Sequence, residues 1–321
     1  MAIFNSYDGT RLWYDTFGTG PALVALPGGP GMDARYLGDL GGLDAGRTVI
    51  RLHPRASGRS EAPEDRSGCS FAEQARDVEA LRRHLGLDRF DLLGHSAGAL
   101  TAQRYAAEHP DRVRRLVLVT PVGRAAREPD EDELAALRAA RSDEPWYPDA
   151  AAAVAELRLG GGDPAELARR MTPFFWGSWT EEIRQAAFDP GLAPAPAWLR
   201  AEFYASAGAG APRPVRVPVL AVAGGRDGLI GTAPARLAAD CHPRGRLEVL
   251  ARAGHRPWVD RPEEFRALVG AFLYRPADDR PTDDRPADNR PTDSRPDAGR
   301  PDAGRPDAGR PDAGQAPVNR R

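Results

Sequence analysis

The sequence predicts an α/β fold, with a mostly parallel central sheet flanked by helices and one helical insertion. Two observations predict it. Apolar runs of buried-strand length recur at residues 22–26, 48–52, 90–93, 116–120, 219–223 and 247–250; a strand covered on both faces needs such runs. Helical patterns lie between several of them, and strand–helix–strand alternation builds a parallel sheet with helices on both faces.

The elements follow in order. Residues 2–7 and 11–17 read as two strands joined through Asp8-Gly9, a hairpin-turn dipeptide. Residues 70–85 read as a helix. Ser70 and Glu73 form a capping box, Phe71, Ala75, Val78, Leu81 and Leu85 recur at helical spacing, and Gly86 supplies the stop. After Thr120-Pro121 no strand pattern returns until Pro218-Val219. The interval reads as helices at 131–141, 149–159, 163–171 and 180–188, and it holds Trp146, Trp176, Trp179 and Trp198. Open α/β sheets bind ligands beyond the carboxyl ends of their strands, so this insertion is placed to cover a site. The expected organisation is a body at 1–274, with its core at 1–121 and 213–274 and a helical cap at about 122–212.

Residues 275–314 are eight pentads, RPADD, RPTDD, RPADN, RPTDS and then RPDAG four times. The stretch 275–321 holds ten Arg and ten Asp, and Val318 alone among Val, Ile, Leu, Met, Phe, Trp and Tyr. It cannot bury enough apolar surface to offset its chain entropy, so a disordered C-terminal tail is expected, with its partner, if any, unspecified.

Composition excludes several functions. The chain has 321 residues and a net charge of −2, which provides no field to recruit nucleic acid or an anionic membrane. All 44 basic residues are Arg, so no lysine forms a Schiff base. Cys69 and Cys241 are too few and too far apart for a disulfide framework or a structural zinc site, and no metal is expected. The opening MAIFNSYDGTRLWYD lacks the pattern of a signal peptide and no apolar run reaches membrane-spanning length, so the expected address is cytoplasmic.

The chemistry centres on Gly94-His95-Ser96-Ala97-Gly98, which follows an apolar strand and precedes a helical stretch. A sharp strand-to-helix turn holds such a serine above the sheet edge, and glycines two before and two after remove side chains that would collide there. Ser96 is the expected nucleophile, and it needs a base. His255, in Ala253-Gly254-His255, follows the last strand pattern and suits that role. Asp227, in Gly224-Gly225-Arg226-Asp227, follows the strand at 219–223 and lies between the two in sequence, as an orienting acid should; Asp240 and Asp260 are its rivals. The oxyanion donors are expected from the backbone of Ala97 and of Gly29, within Pro27-Gly28-Gly29-Pro30-Gly31.

The order PGGPG, HPRASGRS, GHSAG, GGRD and AGH with WVDRPEEF resembles the α/β-hydrolase superfamily, in particular its prolyl iminopeptidase-like branch, over about residues 2–273. The resemblance implies an α/β-hydrolase fold, the same triad and oxyanion residues, and no cofactor. Three departures accompany it: Pro27 stands where that branch has His, His53 where it has Asp, and the elbow reads His-Ser-Ala where it reads Gly-Ser-Trp. The expected function is a serine hydrolase cleaving an ester or amide of a small molecule or short peptide through an acyl-serine. As an aminopeptidase it needs carboxylates for a substrate ammonium, for which Glu181, Glu182 and Glu202 are available. As a carboxylesterase it needs an apolar pocket, which Phe174, Phe175, Trp176 and Trp179 are placed to line. A non-catalytic small-molecule binder on the same fold is the alternative of another class.

Overall fold

The computed structural model describes residues 1–122, 130–206 and 213–274; the tail expected at 275–321 lies outside the described residues. Eight strands form one sheet: β1 (Ala2–Asn5), β2 (Arg11–Phe17), β3 (Ala22–Leu26), β4 (Thr48–Leu52), β5 (Phe90–His95), β6 (Val113–Val119), β7 (Val219–Gly224) and β8 (Gly245–Leu250). Their order is β1-β2-β4-β3-β5-β6-β7-β8. The β1–β2 and β2–β4 pairings are antiparallel, and every later pairing is parallel.

Side-chain alternation explains why the sheet is covered on both faces. Val24, Leu26, Leu92, Leu116 and Leu118 join one buried cluster, whereas their neighbours Leu23, Ala25, Leu93, Val117 and Val119 join another. Helices α1 (Phe71–His84) and α2 (Gly98–Glu108) supply Ala75, Val78, Leu81, Ala102 and Tyr105 to the first. The last helix, α10 (Pro262–Tyr274), supplies Phe265, Val269 and Phe272 to the second. Residues 34–37, a short 3-10 turn, add Tyr36 and Leu37.

The chain reversals follow the sequence with two corrections. Gly9 sits at φ 87° in the hairpin, and Gly86 at φ 64° closes α1. The N–H of Leu87 donates to Arg82 and that of Gly86 to Arg83, the paired bonds of a Schellman ending. The capping box is only half formed. Ser70 Oγ accepts from the Glu73 N–H, but the Ser70 N–H donates to Ser67, and the Glu73 carboxylate turns outward to Tyr7 and Arg76. Strand β6 begins at Val113, earlier than its apolar run. Its second and third residues are Arg114 and Arg115, and Arg114 lies 3.6 Å from Asp91 on β5.

Between β6 and β7 come α3 (Glu131–Ala139), α4 (Tyr147–Arg158), α5 (Pro164–Met171), α6 (Glu181–Ala187) and α7 (Leu199–Tyr204). Asp130, Asp163 and Thr180 cap α3, α5 and α6 through their side-chain oxygens. Two further helices complete the set, α8 (Ala233–Asp240) between β7 and β8, and the short α9 (Pro257–Asp260) before α10. No described helix is long and apolar enough to cross a membrane.

Candidate active site

Ser96 stands at the carboxyl end of β5, in the middle of the sheet, with φ at +52°. A non-glycine residue holds that conformation at an energetic cost, and its surroundings here enforce it. Its N–H donates to Val119 at the end of β6 (2.9 Å), and its carbonyl accepts from Ala99 in α2 (3.1 Å). The flanking glycines are required by contact. A Cβ at Gly94 would lie 2.8 Å from the Ala99 Cα, and one at Gly98 would lie 2.4 Å from the Pro27 carbonyl oxygen. The elbow therefore packs β5, α2 and the end of β3 too closely for side chains at either position.

Asp227 and His255 come from the loops after β7 and β8, which press together. A Cβ at Gly224 would lie 2.1 Å from the Gly254 carbonyl oxygen, and the Arg226 N–H donates to Ala253 (2.8 Å). The Asp227 side chain is fully buried. One carboxylate oxygen accepts from the N–H groups of Leu229 (3.0 Å) and Ile230 (3.1 Å), and the other faces His255 Nδ1 at 2.7 Å. A carboxylate only accepts, so the proton sits on Nδ1 and the Nε2 lone pair is left free, which is the tautomer a general base needs. Ser96 is 7% exposed and His255 9%, so both stand in a largely covered site. Among the described residues, neither Ser96 Oγ nor His255 Nε2 has a hydrogen-bond partner.

His255 is also held through its backbone. The His255 N–H donates to the Phe175 carbonyl in the insertion (2.6 Å), and its own carbonyl accepts from Thr120 Oγ1 and His95 Nε2, each at 2.9 Å. Because Nε2 of His95 donates there, its Nδ1 is an acceptor, and the Tyr36 hydroxyl supplies the proton (2.5 Å). That hydroxyl in turn accepts from the Gly28 N–H (2.7 Å). One chain of hydrogen bonds thus runs from the glycine loop after β3, through Tyr36 and His95, to the backbone of His255. Burial, reinforced by the neighbouring His255 ring, holds the His95 imidazole well below its ordinary pKa. Burial likewise pushes the Tyr36 phenol up.

The glycine loop lies directly against Ser96, since a Cβ at Gly28 would fall 2.7 Å from the Ser96 Cβ. Gly28 spends its N–H on Tyr36, whereas the N–H groups of Gly29 and Ala97 have no acceptor among the described residues. Gly29 adopts φ 117°, a conformation suited to glycine.

The remaining sequence-derived residues fall in varied places. Phe174 is buried edge-on against Trp146 (5.1 Å between ring centroids), and Phe175 packs beside Ala153, Leu167 and Met171, so both rings belong to the insertion's own core. Phe175 reaches the site through its carbonyl instead. Trp179 pairs with Phe188, and Trp176 faces the Arg256 guanidinium. Glu181 is exposed and ion-paired with Arg184, Glu182 is exposed, and Glu202 is half-buried on α7. Asp260 braces the base loop, accepting from the N–H groups of Gly254 (2.7 Å) and Gly177 (3.0 Å), while burial pushes its carboxyl up. Asp240 ends α8. His53 lies buried between Asp15 (3.0 Å) and Asp33 (3.7 Å). Among the described residues no group of three or more His, Cys, Asp or Glu is arranged to hold a metal ion. Sequence reasoning missed Tyr36 and Arg256, which belong to no motif or periodic pattern, and Thr120, which ends an apolar run that signals only a strand.

Comparison with known proteins agrees with this fold. The family described as alpha/beta hydrolase fold matches residues 21–262. The human 1-acylglycerol-3-phosphate O-acyltransferase ABHD5 is 30% identical over 279 residues, covering 77% of this chain and 75% of that one. A probable proline iminopeptidase of Streptomyces coelicolor is 37% identical over 123 residues, covering 35% of this chain and 36% of the relative. Among solved structures, an esterase of Exiguobacterium antarcticum superposes with TM-score 0.63 at 20% identity, covering 85% of this chain and 98% of the esterase. The enol-lactonase of Burkholderia xenovorans superposes with TM-score 0.59 at 25% identity, covering 85% and 99%. The chain belongs to the α/β-hydrolase fold family, and hydrolases stand among its relatives.

Proposed function

We propose that this protein is a cytoplasmic serine hydrolase that cleaves an acyl bond through an acyl-Ser96 intermediate, acting on esters. The observation that carries the reading is the Asp227–His255 hydrogen bond, which fixes the imidazole with Nε2 free, on a loop tied through His95 to the strained turn of Ser96. As substrate closes the site, Ser96 Oγ bonds to the substrate carbonyl carbon and passes its proton to His255 Nε2. Asp227 stabilises the imidazolium. The N–H groups of Gly29 and Ala97 bond to the oxyanion, for which they are unencumbered. The carbonyl re-forms as the leaving oxygen departs, taking the proton from His255. Water then repeats the sequence on the acyl-enzyme, releases the acid and restores Ser96. The serine–imidazole bond is made with substrate bound, as catalytic bonds often tighten only in the complex.

Esters are favoured over peptides because the carboxylates available for a substrate ammonium are not gathered: Glu181 is ion-paired on the surface, Glu182 is exposed, and Glu202 stands on a different helix, α7. The likeness to an enol-lactonase, whose bond is also an ester, supports the same choice. The stretch shared with proline iminopeptidases favours the second reading, an aminopeptidase. Assays of the wild type and Ser96→Ala on short-chain aryl esters and on proline arylamides decide. Ester turnover that vanishes in Ser96→Ala is expected. A higher rate on the arylamide would select the second reading, and undiminished turnover by Ser96→Ala would refute both.

A further inference from the structure

Arg256 directly follows His255, and the Asp260 charge reaches its guanidinium only from beyond ion-pair distance. Among the described residues no carboxylate comes within ion-pair distance and no acceptor takes a hydrogen bond from its side chain. Three buried arginines have ion-pair partners: Arg55 meets Asp8 and Asp77, Arg47 meets Asp91, and Arg141 meets Glu144. Asp260, whose charge acts on Arg256, has one carboxylate oxygen committed to the N–H groups of Gly254 and Gly177.

Two rings hold the guanidinium. Its carbon lies 4.5 Å from the centroid of Tyr36 in the core and 5.1 Å from that of Trp176 in the insertion. Ring faces compensate the charge in part but leave the N–H donors unused. Arg256 is half-buried, and its nitrogens are not sealed inside the protein. Burial draws its pKa down, yet a guanidinium stays charged at neutral pH. A cation partly desolvated without an ion-pair partner is costly, so its position at the seam between core and insertion, one residue from the base, calls for a ligand.

We propose that Arg256 binds a carboxylate carried by the substrate, so that the preferred substrates are half-esters of dicarboxylic acids or esters of similar charge. The planar fork of one guanidinium matches one carboxylate through two parallel hydrogen bonds. This rests on the acyl-Ser96 reading and adds the substrate class to it.

The test compares kcat/KM on p-nitrophenyl hemiglutarate with that on neutral p-nitrophenyl butyrate at fixed ionic strength. Wild type is expected to favour the anionic ester by about tenfold or more, the scale of a charge-assisted hydrogen bond. In Arg256→Gln that ratio falls by about the same factor, chiefly through KM, and Arg256→Lys restores part of it. A wild-type ratio near one, or a ratio unchanged in Arg256→Gln, would overturn the proposal. Failure of wild type to turn over either ester would instead strike at the acyl-Ser96 reading and take this proposal with it. Should Arg256→Gln not fold, inhibition of the wild type decides: glutarate should compete better than butyrate, and equal inhibition would overturn the assignment.

Discussion

Nε2 of His95 donates a 2.9 Å hydrogen bond to the carbonyl of His255, so the residue before Ser96 holds the backbone of His255. The same imidazole accepts from Tyr36, which accepts from Gly28. The glycine loop beside Ser96 and the loop of His255 are therefore joined by one buried relay.

Tyr36→Phe tests that relay. It strips the Gly28 N–H of its acceptor and His95 of its donor. A buried donor left unpaired costs about 1–3 kcal/mol. Because Tyr36 acts through the glycine loop, the expected result is a fall in kcat of about tenfold or more, with KM changed by about twofold or less. Steady-state kinetics on an aryl ester checks it; an unchanged kcat would show that the relay does not position the site.

The depressed pKa of His95 has a consequence for stability. Burial, with the neighbouring His255, keeps the imidazole neutral in the folded chain, whereas the unfolded chain protonates it near its ordinary value. Its contribution is thus whole above about pH 6.5 and falls as the pH drops toward the folded-state value, by up to about 1.4 kcal/mol per pH unit. Urea unfolding midpoints between about pH 7 and about pH 5 should fall more steeply for wild type than for His95→Gln. Parallel slopes would contradict the assignment.

Arg55 is fully buried and joins Asp8 in the hairpin turn to Asp77 in α1. Burial opposes ionisation of Asp8, but the guanidinium outweighs it and holds that carboxyl at about 2. The stabilisation from Asp8 is therefore whole above about pH 4 and is lost as pH falls toward 2. Arg55→Met leaves two carboxylates without their cation, and removing one partner of a buried pair costs about 3–5 kcal/mol. A urea titration at neutral pH should show a loss of that size; a loss below about 1 kcal/mol would mean that the site relaxes to admit water.

Much of this site is legible in the sequence because it is built from local rules. The glycines around Ser96 are dictated by one tight turn, and Asp227 and His255 each stand just past a strand that its apolar run announces. What the sequence hides is contact between distant segments. Tyr36 reaches the site from a 3-10 turn without periodicity, and Phe175 acts through its carbonyl while its ring packs elsewhere. The capping box fails by half because Glu73 is drawn to Tyr7 and Arg76, a tertiary and a surface contact that override the local motif. The start of β6 is masked by two arginines, whose charges leave no apolar run to read.

Asp227→Asn keeps the shape of the orienting group while removing its charge and favouring the wrong imidazole tautomer. A fall in kcat on the order of 10⁴ is expected, with folding retained. Burst and steady-state kinetics on an aryl ester check it. A fall of less than about tenfold would mean that Asp227 does not orient the base.

The central claim is that Ser96 carries the acyl group, and mapping a covalent adduct tests it most directly. After reaction with a fluorophosphonate, digestion and mass spectrometry should place one adduct on the peptide containing Gly94-His95-Ser96-Ala97-Gly98, and Ser96→Ala should carry none. An adduct on another residue, or equal labelling of Ser96→Ala, would contradict the account.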